Sequence, residues 1–338
     1  MVQTDSSDAE PTLDRVGVVI IGRNEGARLK QCLDSVVGAG TVVYVDSGST
    51  DNSVELATVA GAQIVELDLS VPFTAARARN SGFARLLEGR KDLLYVQFVD
   101  GDCELVRGWM TEAVHFLENR PDVAVVCGRR VERDPEASIF NNMCNHEWDT
   151  PVGEAKSCGG ESLMRISAFQ AVGGFRAEQI AHEEPELCGR LRAMGQKIWR
   201  IDRPMSLHDA AITRTSQFYA RGRRAGFGLM QYLVHTKRID PGNGSEIVLR
   251  AFFWALVLPI AIIIGLYVFG PAALLLLVAY PLQIVRYAFR LGKTDYSARE
   301  ALQVALLSML GKFAEFQGSV EFLVKRLGRK KMEGIFYR

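Results

Sequence analysis

Short apolar runs rich in β-branched residues alternate with segments of helical periodicity over the N-terminal part of the chain. Such runs, bounded by turn residues, are typical of buried strands, whereas apolar positions three and four residues apart indicate helices. The predicted strands are Val16–Ile21, Thr41–Val45, Gln63–Val65, Leu93–Val99, Val123–Cys127 and Lys197–Ile201. The predicted helices are Glu25–Val37, Asp51–Ala60, Thr74–Leu87 and Arg107–Glu118. This alternation predicts an α/β fold in which a mainly parallel sheet is flanked by helices.

A second hydrophobic pattern follows, because residues 251–285 contain no charged side chain. Its first part, AFFWALVLPIAIIIGLYVF, is about 19 residues long and can cross a bilayer. Gly270-Pro271 then breaks the helix, and a second apolar stretch can return. We predict a transmembrane hairpin over residues 249–290, with a buried hairpin in the protein core as the alternative. Basic residues on both flanks predict that both ends lie in the cytoplasm.

The segment after the hairpin carries apolar residues near helical spacing and then a run of lysines and arginines. This pattern favours a helix lying on an anionic leaflet, although the same apolar face could pack on the protein's own domain. The predicted organisation is a disordered lead-in (1–15), the α/β domain (16–245), the hairpin (249–290) and an amphipathic, basic tail at the membrane surface (295–338).

Composition narrows the possible partners and the compartment. The 338 residues carry a net charge of +1, which gives no argument for a nucleic-acid partner. The six cysteines form no C-x-x-C pair and fit reduced, buried thiols better than disulfides or a zinc site. The polar N-terminus lacks the basic start and apolar core of a signal peptide, so we expect the first domain to stay on the cytoplasmic side.

The predicted strand at residues 93–99 ends abruptly at Asp100-Gly101-Asp102. The carboxyl ends of strands form the edge at which open α/β sheets bind ligands. Two carboxylates at that edge suit a hard divalent cation such as Mg²⁺ or Mn²⁺, and such a cation suits a diphosphate. The sequence therefore predicts a metal site here, with a solvated turn as the alternative.

Polar residues also follow the first two predicted strands. Asn24 and Glu25 come after the first strand, and Asp46 closes the second. Asp46 can accept from a ribose hydroxyl or a base N–H, and ordinary turn capping is compatible with that role. Arg79 lies on a predicted helix beside this edge, where its planar fork suits phosphate oxygens or the side chain is simply solvated. Neither a G-x-G-x-x-G motif nor a P-loop follows these strands, which disfavours dinucleotide-binding and P-loop proteins.

Four segments in this order, VGVVIIGRNEGARLKQCLDSV, VVYVDSGSTDNS, AARARNSGFA and FVDGDCEL, resemble the nucleotide-binding half of family 2 glycosyltransferases. The resemblance extends from about Val16 to Gly228 and implies a GT-A-type fold of the bacterial membrane-anchored subgroup. It also implies that a nucleotide-diphosphate sugar lies across the strand ends, with Asp46 near the base, Asp100 near the ribose and Asp102 on the metal. Asn24, Glu25 and Arg79 are then expected to contact this donor.

Two departures from the family pattern stand out. Ser47 occupies a position where many members carry a second acid, and Cys103 occupies the fourth position of a D-x-D-D pattern.

The resemblance also covers later residues. Gly159 and Gly160 allow close approach of the backbone to a ligand, and the family places this loop beside the donor sugar; a plain turn is the alternative. Glu183 and Glu184 occupy the family's E-D pair, which implies that Glu184 is the general base and that Glu183 faces the acceptor or a phosphate. Acids at a helix start also satisfy the helix dipole without catalysis. His208 is implied as a metal or diphosphate ligand, with a structural role equally open.

A basic cluster containing Arg221 and Arg224 precedes the hairpin. It can meet the diphosphate of a lipid carrier or anionic head groups. The Q-x-x-R-W motif of processive synthases is absent, because Gln217 and Arg221 are one residue too far apart and no tryptophan follows.

These observations predict an inverting glycosyltransferase that uses Mg²⁺ or Mn²⁺ and a nucleotide-diphosphate sugar, with UDP-sugars favoured. We expect it to act on a hydroxyl of a lipid-linked saccharide in cell-surface or exopolysaccharide biosynthesis. The expected location is the inner membrane, with the catalytic domain on its cytoplasmic face. The alternatives are a polyprenyl-phosphate sugar synthase and, from another class, a non-catalytic nucleotide-binding membrane scaffold.

Overall fold

A computed structural model describes residues 13–236 and 244–328 of the chain. The described chain divides into two compact units. The first comprises the chain up to residue 133 together with 147–178 and 183–209, and the second comprises 134–146, 179–182 and the chain from residue 210. Most of the predicted lead-in and the last residues of the predicted tail lie outside the described residues.

The described residues contain strands β1 (Val16–Gly22), β2 (Thr41–Asp46), β3 (Gln63–Glu66), β4 (Tyr95–Asp100), β5 (Cys103–Leu105), β6 (Val123–Glu132), β7 (Gly153–Ala155), β8 (Ser162–Arg165) and β9 (Lys197–His208). Their helices are α1 (Ala27–Ser35), α2 (Ser53–Val59), α3 (Ala75–Gly89), α4 (Trp109–Asn119), α5 (Ile139–Glu147), α6 (Ile166–Ala171), α7 (Glu183–Ala193), α8 (Thr215–Thr236), α9 (Ser245–Phe252), α10 (Leu258–Phe269), α11 (Ala279–Leu291) and α12 (Ala298–Leu327).

The first unit is built on one mixed sheet with the strand order β3-β2-β1-β4-β8-β6-β9-β5, and β7 also pairs with β9. The first four strands in this order are mutually parallel. Beyond them β8 runs antiparallel to β4 and β6, while β6 and β9 are parallel. The predicted α/β fold is confirmed, and the mainly parallel sheet is corrected to a mixed one. The antiparallel strands β5, β7 and β8 are three or four residues long, too short to give a sequence pattern.

The core of this unit lies on both faces of the sheet. Val18 and Ile20 of β1 point to a cluster shared with α1 and α4, whereas Val19 and Ile21 point to a cluster shared with α3 and α7. Successive side chains of a strand alternate between faces, so a strand covered on both sides reads as a continuous apolar run. This is why the central strands were predictable from the sequence.

The second unit contains the long helices α8 and α12, which pack along each other. Gly226 and Gly318 allow the backbones to approach, because a Cβ atom at either position would collide with the backbone of the other helix. Arg223 and Glu321 form an ion pair of 2.6 Å across the same contact. The described part of the predicted tail, helix α12, thus packs on α8 through the face that carries Gly318 and Glu321. Helix α8 lies within the predicted α/β domain (16–245) and shares its compact unit with α12, and the predicted domain bounds stay a prediction.

Ser245–Leu291 is long and apolar enough to cross a membrane. The chain reverses at Gly270, whose φ of +66° suits glycine. The hydroxyl of Tyr280 donates to the carbonyl of Trp254 (2.7 Å), which joins the two arms of the reversal. Many large apolar side chains of this segment are exposed, among them Ile263, Phe269 and Leu275.

Candidate active site

Three parallel strands end at one edge of the sheet in the first unit. Asp46 and Asp100 close β2 and β4, which flank β1. Asn24, two residues after β1, has a φ of +57° and its Oδ1 accepts a hydrogen bond from the backbone N–H of Thr50 (2.7 Å). The predicted cluster of polar residues at this edge is therefore present.

Glu25 lies at the same edge. Its backbone N–H donates to Ser53 Oγ (3.1 Å), and its carboxylate pairs with Arg28 (2.7 Å). Burial raises the pKa of Glu25, and the nearby charge of Asp102 adds to this effect. Glu25 and Asp102 therefore contribute negative charge to one region.

Asp46 organises the turn that follows β2. One carboxylate oxygen accepts from the backbone N–H groups of Gly48 and Ser49 (both 2.8 Å), and the other accepts from Ser49 Oγ (2.5 Å) and Tyr44 Oη (3.2 Å). Ser49 Oγ also accepts from the backbone N–H of Asn24 (2.9 Å), which ties the loops after β1 and β2 together. Asp46 thus caps this turn, a role that is compatible with binding a ribose hydroxyl or a base N–H.

Arg79 is buried and engaged by two carboxylates. Its Nη2 donates to Asp100 Oδ1 (2.7 Å) and its Nη1 to Glu183 Oε1 (2.6 Å). Burial opposes the Arg79 charge, but Asp100 and Glu183 hold its pKa above the ordinary value. Arg79 in turn holds the pKa of Asp100 below its usual value against the effect of burial. The guanidinium thus binds protein carboxylates and fixes the first acid of the D-x-D turn.

The second acid of that turn lies beside His208. The distance from His208 Nε2 to Asp102 Oδ2 is 3.6 Å, and His208 Nδ1 lies 3.9 Å from Glu132 Oε2. Burial raises the pKa of Asp102, with Asp100 adding to the effect. A carboxylate and an imidazole at this separation form a donor set that fits a divalent cation.

The loop at Gly159-Gly160 contacts both Arg79 and Glu184. Gly159 has a φ of +86°, and a Cβ atom on Gly160 would lie 2.7 Å from Arg79 Nη2. The backbone N–H of Cys158 donates to Glu184 Oε1 (2.7 Å). The loop therefore connects the Arg79 cluster with the start of α7.

Glu184 is only 2% exposed. Its Oε1 accepts from Cys158 N and from Cys188 Sγ (2.8 Å), whereas its Oε2 is buried and no side-chain hydrogen bond to it is found among residues 13–236 and 244–328. Burial raises its pKa to about 7. A carboxyl group that titrates near neutral pH is suited to proton transfer.

Three further side chains that the sequence did not indicate lie next to His208. Trp148 meets its ring edge-on (4.7 Å between centroids), and the Arg130 guanidinium lies 5.2 Å from the Trp148 ring centre. Arg130 also pairs with the buried Glu161 (3.2 Å), which accepts a hydrogen bond from Ser206. Glu161 could have been suspected because it directly follows Gly160, whereas Arg130 could not, because its strand was predicted to end at Cys127.

Arg221 and Arg224 lie on α8, in the second unit. Both are half-buried. Their expected role toward phosphates stays a prediction.

Residues 17–173 match the family described as Glycosyl transferase family 2. The matched segment contains Asn24, Glu25, Asp46, Arg79, Asp100, Asp102, Gly159 and Gly160. Glu183, Glu184 and His208 lie beyond it.

The chain is similar to several characterised bacterial proteins. It is 25% identical over 268 residues to the succinoglycan biosynthesis protein ExoA of Rhizobium meliloti, with 72% of this chain and 81% of that protein covered. It is 29% identical over 202 residues to the pre-mycofactocin glycosyltransferase of Mycobacterium tuberculosis (56% and 41% covered). It is 25% identical over 170 residues to the O-antigen chain rhamnosyltransferase WbaN of Salmonella anatum (46% and 52% covered). The chain therefore spans about half or less of the last two relatives.

Among solved structures, the mannosyltransferase PcManGT from Pyrobaculum calidifontis, in complex with GDP-Man and Mn²⁺, has a TM-score of 0.53 at 18% identity. The superposition covers 94% of this chain and 88% of that chain. This likeness shows a shared GT-A-type fold.

Proposed function

Because residues 17–173 belong to glycosyl transferase family 2 and the chain is a glycosyltransferase, we propose that it transfers a sugar from a nucleotide-diphosphate sugar to a hydroxyl group, with inversion at the anomeric carbon. The observation that carries this proposal is the cluster of Asp100, Asp102 and His208 at the carboxyl edge of the sheet, with Arg79 fixing the first acid. Open α/β sheets bind their ligands at this edge.

The donor would lie along the loops after β1, β2 and β4. Asn24 and Asp46 fix the turns that face it. The Gly159-Gly160 loop, which packs on Arg79, would lie beside the sugar. Asp102 and His208 would hold Mg²⁺ or Mn²⁺. When bound, such a cation neutralises charge that develops on the departing diphosphate. A UDP-sugar is the favoured donor.

Glu184 would take the proton from the acceptor hydroxyl. Its pKa of about 7 supports this role, because a base works best when its pKa lies near the working pH. Its Oε1 is held by Cys158 and Cys188, which fixes the orientation of the carboxylate. Glu183, held by Arg79, would line the acceptor or phosphate side.

The acceptor would be a lipid-linked saccharide of cell-surface or exopolysaccharide biosynthesis. Two relatives support this, since one is named a succinoglycan biosynthesis protein and the other an O-antigen chain rhamnosyltransferase. The exposed apolar segment Ser245–Leu291 supports membrane attachment. Arginines on both sides of this segment favour the cytoplasmic face of the inner membrane, where Arg221 and Arg224 would meet the carrier's diphosphate or lipid head groups.

The first test is calorimetric titration of the detergent-solubilised protein with UDP, GDP and TDP, each with and without Mn²⁺. We expect one nucleotide, UDP in the first instance, to bind only with the metal and to lose this binding in Asp102→Ala. Asp34→Ala is the matched control, because Asp34 is an exposed acid on α1 that pairs only with Lys30 (2.6 Å) in the described contacts.

The result that would overturn the donor site is the absence of binding for all three nucleotides by protein whose circular dichroism spectrum shows that it is folded. Equal binding by the Asp102→Ala and Asp34→Ala variants would remove the metal role from Asp102. Once the donor is known, NMR of the product's anomeric proton tests inversion.

A further inference from the structure

A thiol lies beside the two residues that would hold the cation. Cys103 of β5 stands directly opposite His208 of β9 in the antiparallel register, and it follows Asp102 in the chain. One ligand atom from each of these three side chains lies within 4.8 Å of the other two. We propose that Cys103 is a third protein ligand of this cation and that the site prefers Co²⁺ or Zn²⁺ over Mg²⁺. This inference rests on the proposed function, because it concerns the same cation.

The separations fit one metal ion. Bonds of about 2.0–2.2 Å to nitrogen and oxygen and about 2.3 Å to sulfur place tetrahedral ligands roughly 3.3–3.7 Å apart. His208 Nε2 and Asp102 Oδ2 are 3.6 Å apart, and Cys103 Sγ is 3.3 Å from Asp102 Oδ1. Both separations match those between ligands of one ion, and the ligand atoms of Cys103 and His208 lie within 4.8 Å of each other.

The cluster is closed on the protein side and open on the other. Cys103 is only 1% exposed, whereas the Asp102 side chain is 26% exposed and that of His208 is 14% exposed. Three protein ligands with an open position are typical of catalytic metal sites, in which the remaining position takes water or substrate. Here the open position would take a diphosphate oxygen of the donor.

The position of Cys103 distinguishes it from the other thiols. Cys144 is also buried, but it lies on α5 in the second unit. Within residues 13–236 and 244–328, the Asp102–Cys103–His208 group is the one set of three or more His, Cys, Asp or Glu side chains whose ligand atoms approach this closely.

Ligand chemistry then sets the preference for the metal. Carboxylates and water suit Mg²⁺ and Mn²⁺, imidazole suits zinc and other later first-row metals, and a thiolate is a soft ligand that favours zinc over magnesium. On binding, the cation replaces the proton on Sγ. A mixed oxygen, nitrogen and sulfur site therefore departs from the Mg²⁺ or Mn²⁺ preference that two carboxylates alone predict. Cys103→Asp would create the all-carboxylate pattern D-x-D-D and move the preference back toward Mg²⁺ and Mn²⁺.

The test titrates Co²⁺ alone into the full-length protein in detergent and follows the absorbance. Cobalt bound to a thiolate gives a charge-transfer band in the near ultraviolet, which cobalt bound only to oxygen and nitrogen lacks. We expect this band in the wild-type protein and in Cys144→Ser, and its loss in Cys103→Ser together with at least roughly a tenfold weaker affinity for Co²⁺, since even groups that only support a ligand contribute that much. In Cys103→Asp we expect the ratio of Co²⁺ to Mg²⁺ affinity to fall by about tenfold or more.

Two outcomes overturn the inference in distinguishable ways. Wild-type protein that binds Co²⁺ without the band, and loses the binding in Asp102→Ala, shows a metal site that excludes Cys103 and leaves the proposed function standing. Wild-type protein that binds neither Co²⁺ nor Zn²⁺ nor Mn²⁺ overturns the inference and the metal part of the proposed function together. Absence of the band in wild-type protein that binds Co²⁺ by itself excludes Cys103 as a ligand, so the inference can be overturned without any variant.

Discussion

Gly160 lies directly against the guanidinium of Arg79, so that a Cβ atom on residue 160 would stand 2.7 Å from Nη2. The same guanidinium binds Asp100 and Glu183. Glycine at this position therefore allows the loop to pack against Arg79, whose ion pair fixes Asp100, the first acid of the D-x-D turn. The buried guanidinium of Arg79 thus connects the Gly159-Gly160 loop, the D-x-D turn and Glu183, the first residue of α7.

Gly160→Ala should disturb this arrangement. The added methyl group must displace Arg79 or the loop, and overpacking of this kind costs about 1–3 kcal/mol. We expect weaker binding of the nucleotide by calorimetry and a lower thermal midpoint. Gly89→Ala is the matched control, because a Cβ there meets only Gln63 Nε2 at 3.7 Å. Unchanged nucleotide binding in Gly160→Ala would show that the loop does not border the donor.

Arg79→Ala should destabilise the first unit strongly. Removal of one partner leaves the Asp100 and Glu183 carboxylates without the cation that compensates them, and breaking a buried ion pair costs about 3–5 kcal/mol. Arg85→Ala on the same helix removes an exposed pair with Glu88 and should cost about 0–1 kcal/mol. Denaturant unfolding followed by tryptophan fluorescence compares the two. Equal losses of stability in both variants would contradict a central role for Arg79.

The strands that build the site's edge were predictable because their signal is local. The apolar runs at β1 and β2 give nearly the observed bounds, since both strands are buried on both faces. Strand β8 escaped prediction, because Ser162–Arg165 is four residues long and its position between β4 and β6 depends on pairing with distant strands.

The same distinction applies to the site. The placement of Asp46 and Asp100 at one edge follows from parallel strands alone. The approach of His208 to Asp102 depends on the antiparallel pairing of β5 with β9, which no local pattern encodes. Likewise, the ion pairs of Arg79 join residues that are far apart in the chain. From the sequence, the Arg79 guanidinium was expected to bind phosphate, whereas in the structure it binds the carboxylates of Asp100 and Glu183.

Arginine substitutions in the apolar segment should weaken membrane attachment. Ile263 and Leu275 are 66% and 73% exposed, and an arginine in the centre of a membrane span costs about 2.5–3.5 kcal/mol. We expect Ile263→Arg with Leu275→Arg to shift the protein into the fraction released by an alkaline wash of membranes. Val59→Arg, a similarly exposed apolar position on α2, should leave the distribution unchanged. Retention of the double variant in the membrane would argue against a span at Ser245–Leu291.

Glu184 should make both activity and stability depend on pH near neutrality. As the proposed base it must be ionised, so kcat/KM, which reports the pKa values of the free enzyme, should rise with pH and level off above about 7. Stability should change in the opposite direction. Burial raises the pKa from 4.5 to about 7, so between these values the folded state holds a proton that the unfolded state has released. The contribution of Glu184 to the free energy of unfolding is therefore greatest below pH 4.5. It falls by about 3 kcal/mol as the pH rises from 4.5 through 7.

Glu184→Gln separates these two effects, because the amide has the same shape and does not titrate. We expect this variant to lose the pH-dependent fall in thermal midpoint and to be more stable than the wild type at pH 8, while its kcat drops by about 10²–10⁴-fold. Glu183→Gln is the comparison, since its carboxylate is held by Arg79 rather than buried beside Cys188. A Glu184→Gln variant that keeps its activity would favour a polyprenyl-phosphate sugar synthase, in which the lipid phosphate attacks without a strong base.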